Sequence, residues 1–141
     1  MYGDTDVVRS LSRGLRARGD DIRSEADDLL ARAEAVPWSG LAADGMRRLT
    51  RDHAGGLRSC ADEHESAADA LDRHAREVDH LVEVIAAIER KARHLLDSAT
   101  GGVAGIVGHL LPDPVDHWLH HFDPPPHGSR EWLDVHLPRS A

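Results

Sequence analysis

Val36-Pro37-Trp38-Ser39-Gly40-Leu41 is the stretch that decides the fold, because it is the one short break between two long helical patterns. Proline pushes the residue before it toward extended geometry, and the glycine is competent to turn, so a helix ends at about Val36. Upstream, small and apolar residues recur at Val8, Leu11, Leu15, Gly19, Ile22, Ala26, Leu29, Ala33 and Val36, always three or four apart. That spacing predicts one helix over about residues 5 to 36, capped by Asp4 or Thr5, with Asp6 at the positive end of its dipole. Downstream, a second stripe reads Met46, Leu49, His53, Leu57, Cys60, His64, Ala67, Leu71, His74, Val78, Leu81, Ile85, Ile88, Ala92 and Leu95. It meets no proline before Gly101-Gly102, a helix-stop signal. A connection this short folds the two helices back on each other, antiparallel.

Composition agrees with an all-α chain. The 141 residues are 40% hydrophobic but only 4% aromatic, and much of the apolar content is alanine, the best helix former. Such a chain buries a thin seam more easily than a globular core. The net charge of -8 has both signs mixed along the sequence, so no basic stripe exists to neutralise a phosphate backbone, and nucleic acid is excluded as a partner. No apolar run is long enough to span a bilayer, and Met1-Tyr2-Gly3-Asp4 lacks the basic and apolar regions of a general secretory signal. The single cysteine, Cys60, excludes an internal disulfide and a cysteine-based zinc site, and reads as a small buried apolar residue.

With the bend centred on residues 38 to 39, facing positions sum to roughly 77 in an antiparallel pair. Gly19 and Ile22 then lie level with Gly55-Gly56, which predicts either a close approach of the two backbones or a local break in the second helix. The first helix runs out opposite about Leu71, and the second continues for about 25 residues, roughly 37 Å. That overhang carries Val78, Leu81, Val82, Val84, Ile85, Ile88, Leu95 and Leu96. Leaving such a patch wet is unfavourable, at about 1.5–3 kcal/mol for each large side chain, so the chain's own tail or another chain packs on it. Val78, Leu81, Val82, Ile85, Ile88 and Leu95 are the expected partner-binding residues. Aspartate at Leu81 and Ile85 is expected to abolish association, whereas Arg47 and Arg76 read as exposed positions of little consequence.

The organisation expected is a hairpin over residues 1–100 and a tail over residues 101–141. In the tail, residues 103–111, a stretch starting at Pro114, and residues 118–122 read as short helices. Pro124-Pro125-Pro126 reads as an extended spacer, and residues 129–137 as an amphipathic turn carrying Trp132, Leu133, Val135 and Leu137.

Trp38-Ser39-Gly40 between two heptad-patterned helices, followed by Leu41-Ala42-Ala43-Asp44, resembles the WXG100 (ESAT-6-like) superfamily of type VII (ESX) secretion. The resemblance covers residues 5 to about 97. It implies synthesis in a bacterial cytoplasm, export as a folded hairpin, and a homo- or heterodimer forming a four-helix bundle. Trp38 and Gly40 match the family's turn residues, with Trp38 packing at the bundle end and Gly40 allowing the bend. The Tyr-x-x-x-Asp/Glu signal that the family carries after its second helix is missing, since the only tyrosine is Tyr2. The chain would then leave with a partner that carries the signal, or serve as a cytosolic partner of a larger toxin. The alternative is a cytosolic chaperone or antitoxin-like module that masks a partner's apolar helices.

Eleven histidines are the remaining candidates for chemistry. His53, His64 and His74 lie on the second stripe, where protonation near a pKa of about 6.5 would place charge in the seam and make it pH-sensitive. His117 and His121 are four apart and could chelate a transition metal on one helix face, with His109 as a third ligand, although no recognised zinc spacing is present. No nucleophile elbow, phosphate loop or carboxylate pair is found, so a non-enzymatic protein without a cofactor is expected.

Overall fold

The computed structural model describes residues 4–101, 118 and 121–138. Among the described residues the regular structure is two long α-helices, helical positions at Trp118 and His121, and one 3-10 turn, with no strand. Helix α1 spans Thr5–Ala35 and α2 spans Leu41–Gly101. Of the two candidate caps, Asp4 is the one used: its carboxylate accepts from the Asp6 amide at 3.0 Å. Val36 takes the extended conformation that Pro37 imposes, which ends α1. Gly40 sits at φ +103°, a left-handed conformation that glycine adopts without a Cβ clash, and its carbonyl accepts from Asp44 N in the first turn of α2.

The hairpin seam is made of small residues rather than the large ones. On α1 the buried positions are Ser12, Gly19, Ala26 and Ala33, and on α2 they include Ala54, Ala61, Ala68 and Ala75. Both sets repeat every seven residues. Ser12 Oγ donates to the Ala68 carbonyl at 3.1 Å, and a Cβ added to Gly19 would lie 3.2 Å from the Ala61 carbonyl oxygen. Both pairs have residue numbers that sum to 80, so the register lies about three residues from the one expected. Small side chains let the backbones approach until main-chain atoms of one helix touch the other, and dispersion along the whole contact holds them. The glycine in mid-helix costs about 1 kcal/mol relative to alanine, and the close approach it permits offsets that cost. Gly55 and Gly56 meet nothing within 4 Å and α2 is unbroken there, so neither expectation for that pair holds.

Ion pairs line one edge of the seam and fix its register. Arg16 reaches Asp69 at 2.6 Å and Asp72 at 2.8 Å, and Arg23 reaches Asp62 at 2.8 Å and Glu65 at 2.6 Å. Nearer the loop the polarity reverses, with Arg58 on Asp27 at 2.6 Å and Arg51 on Glu34 at 3.7 Å. Slipping the helices by one heptad would set Arg23 against Arg58 in one direction and Asp27 against Glu65 in the other. Exposed pairs add little stability, so the ladder acts mainly by penalising wrong registers. The Ser12 hydroxyl and the Arg16 guanidinium beside it hold the Asp72 carboxyl below its ordinary range, and Asp62 and Glu65 push the Arg23 guanidinium further up.

Asp4–Glu77 forms one compact unit, and the chain from Val78 onward belongs to another. The boundary between these compact units falls inside α2. In the second unit, Ile85 and Ala92 of α2 are buried against Trp132, with Ile88, Trp118, Phe122, Leu133, Val135 and Leu137 packed around them. Trp132 lies in the 3-10 turn Arg130–Asp134, whose first amides are capped by Ser129. Trp118 stacks on Phe122 with ring centroids 4.1 Å apart, and Phe122 tilts against Trp132 at 6.1 Å. The tail thus supplies cover for part of the α2 overhang. The helices expected at 103–111 and from Pro114, and residues 119 and 120 of the one expected at 118–122, lie outside the described residues.

Candidate interaction surfaces

Choosing small residues for the seam leaves the larger apolar ones at its margin. On α1, Val7, Leu11 and Leu29 are exposed, and Val8, Leu15 and Ile22 are half-buried; on α2, Leu49 and Leu57 are exposed. Val8, Leu15, Ile22 and Leu29 repeat every seven residues, one turn from the buried heptad, so they form a continuous stripe along the hairpin. Two shallow depressions lie along it. Val7, Leu11, Gly14 and Leu15 line one, and Ile22 and Leu57 line the other, with Arg18, Asp21 and Glu25 at the rim.

Two more exposed apolar groups lie at the turn, Trp38 in the loop at 63% and Leu41 at the start of α2 at 91% of their free surface. Trp38 does not pack at the end of the hairpin within this chain. Its backbone is nevertheless tied down. Arg47, with a side chain only 18% exposed, donates to the Val36 carbonyl at 3.0 Å and to the Trp38 carbonyl at 2.9 Å. Sequence reading took Arg47 for an idle surface residue because its partners are backbone oxygens, which no residue pattern reveals. Arg47→Ala is expected to destabilise the hairpin by about 1.5–3 kcal/mol, the worth of hydrogen bonds to a charged group, measured by urea unfolding of the full chain.

The expected seam histidines are placed differently. His53 and His74 are exposed, one residue away from the buried Ala54 and Ala75, so protonating them puts no charge in this seam. His64 is half-buried, and its Nδ1 lies 2.8 Å from the Cys60 carbonyl oxygen. Cys60 is likewise only half-buried. His121 is exposed, and His117 and His109 lie outside the described residues. No three metal-ligating side chains converge among the described residues, and no helix there is long and apolar enough to cross a membrane.

Of the six expected partner-binding residues, Ile85 and Ile88 pack against the chain's own tail. Val78 and Leu95 are half-buried, while Leu81 and Val82 remain exposed. Next to Ile85 lies a group that sequence reading missed. Glu89 keeps 4% of its surface, and its carboxylate accepts from Gly128 N at 2.6 Å and lies 2.8 Å from His127 Nδ1. Burial alone pushes this carboxyl up. The Gly128 amide, the His127 ring and the charges of His127 and Arg93 pull it down further, to a net position below its ordinary value of 4.5. A depressed folded-state pKa stabilises the docked tail at all pH above the unfolded value, and that stabilisation is lost as pH falls through the folded value. Hydrogen exchange of the Gly128 amide is therefore expected to stay slow from neutral pH to about 4.5 and, corrected for intrinsic rates, to quicken only below it. No family model, curated protein or solved structure matches this chain significantly.

Proposed function

We propose that this is a non-enzymatic helical interaction protein that works by packing its hairpin against a second hairpin, as a type VII secretion substrate or as the partner of one. The observation that carries the association is the set of exposed apolar residues Val7, Leu11, Leu29, Leu49 and Leu57, beside the half-buried Val8, Leu15 and Ile22, at the margin of a seam already filled by small residues. A face of that length with an apolar centre is a helix-docking surface. Its rim carries both signs of charge, with Arg18 beside Asp21 and Glu25, which suits a two-fold pairing of identical faces. A second copy is therefore the partner we assign first, and the product is a four-helix bundle.

Export is supported by the residues of the turn, Trp38-Ser39-Gly40, and by their position between antiparallel helices. Without a tyrosine after α2, the chain leaves in company with a signal-bearing partner. Sedimentation of the Leu11→Asp, Leu57→Asp double variant tests the association. Both sites are exposed, so the hairpin stays folded and the dimer is lost; a variant that sediments like the parent refutes the stripe. Recovery in culture filtrate that stops when the type VII ATPase is disabled tests the export.

A further inference from the structure

The tail docks as a self-contained clip. Ser129 N donates to the Pro126 carbonyl, Trp132 N to Ser129 and Val135 N to Trp132, while the Trp132 indole N–H donates back to Pro126 O at 3.0 Å. The Glu131 amide is taken by Ser129 Oγ. None of these bonds involves α2, so undocking leaves them intact. The clip is held to α2 by the Trp132 ring against Ile85 and Ala92, with Leu133, Val135 and Leu137 packed around them, and by one carboxylate, Glu89, joined to His127 and Gly128.

The two sides differ on release. The clip loses an apolar contact and two donors that water can satisfy. Helix α2 is left with Ile85, Ile88 and Ala92, continuous with the exposed Leu81 and Val82, and with a carboxylate in the middle of them. An apolar helix laid on that face would strip Glu89 of water and leave it only the long, exposed pair with Arg93 at 3.9 Å, which does not replace the two close donors lost with the clip. A helix bringing Arg or Lys to the same spot satisfies it. A cleft of about 210 Å³ already opens beside the carboxylate, lined by Val82, Ile85, Ala86, Glu89, His127 and Gly128. On release the His127 and Gly128 side leaves with the clip, and what stays on α2, Val82, Ile85 and Ala86 around Glu89, suits the stem of a basic side chain with the carboxylate for its head. The chain's net charge of -8 favours the same sign of partner.

We propose that residues 126–137 are an autoinhibitory clip over a second docking face of α2, and that Glu89 reserves this face for an amphipathic helix with a basic residue in its apolar stripe. This rests on the reading of the protein as a helix-association module, but it uses a different surface from the hairpin stripe.

The test uses the full-length protein and three fluorescent amphipathic 18-residue peptides, identical except for Arg, Leu or Glu at one position of the apolar stripe. Clip-opened variants are Trp132→Ala and, independently, Gly128→Pro, which removes the donated N–H at a residue with φ +71°. The Arg peptide is expected to bind each opened variant at least about tenfold tighter than the parent, and about tenfold tighter than the Leu peptide does. Adding Glu89→Gln is expected to erase the preference for Arg over Leu. Equal binding to parent and opened variants would refute the clip as a guard, and equal binding of the Arg and Leu peptides would refute Glu89 as the selector. Sedimentation of the parent separates this from the hairpin reading: a parent that never self-associates refutes the stripe and leaves the peptide results standing on their own.

Discussion

Trp132→Ala is expected to release the tail from α2 while leaving the Asp4–Glu77 hairpin folded. Trp132 is 5% exposed and is the largest side chain in the cluster with Ile85 and Ala92. Truncating a buried tryptophan to alanine typically costs about 3–5 kcal/mol. Phe122, Leu133 and Val135 pack around the same cluster, but Ala92 opposite has no side chain long enough to fill the space left. The loss should be local, because the clip's internal hydrogen bonds do not involve α2 and it opens as a unit. Hydrogen exchange at Gly128 should approach the rate of an exposed amide, and exchange at Ala54, Ala61 and Ala68 should be unchanged. Equal loss of protection at both places would mean that the two compact units unfold together.

Gly19→Leu is expected to have the second large effect, on the hairpin itself. Even a Cβ at this position would come 3.2 Å from the Ala61 carbonyl oxygen, and that oxygen belongs to the backbone of a helix that cannot move alone. A leucine must either separate the helices or leave its rotamer well, at about 1–3 kcal/mol or more. Separation would also stretch the Ser12–Ala68 hydrogen bond one heptad away. Gly55→Leu is the control, since nothing lies within 4 Å of a Cβ there. It should raise stability slightly through helix propensity. Thermal unfolding of both variants by circular dichroism separates the two results.

The turn and the two helices were legible because proline, glycine and three-four spacing act locally. The inward face of α1 was legible as well, since its stripe already held Gly19, Ala26 and Ala33, but the face α2 turns toward it was not. Reading by hydrophobicity favours Leu57, Leu49 and the histidines, whereas the structure buries Ala54, Ala61, Ala68 and Ala75 beside them. Burial of large groups and close approach of backbones are competing ways to hold two helices together, and here close approach wins. One signal could have shown it: small residues recur at an unbroken period of seven on both segments, Ser12 to Ala33 and Ala54 to Ala75. The excess of apolar groups on the second half of α2 was also legible, and so was the tail's amphipathic turn. Their pairing through Glu89 was not, because it joins residues 39 apart through a backbone amide. Arg47 was missed for the same reason, its acceptors being carbonyls of the loop.

The small-residue seam leaves larger apolar residues at its margin, where a second hairpin would pack. Light scattering on the full chain across micromolar concentrations measures this directly. A mass of twice 15.4 kDa is expected, falling to 15.4 kDa on dilution and in the Leu11→Asp, Leu57→Asp variant. A mass of 15.4 kDa at every concentration, with the stripe still bare, would contradict it.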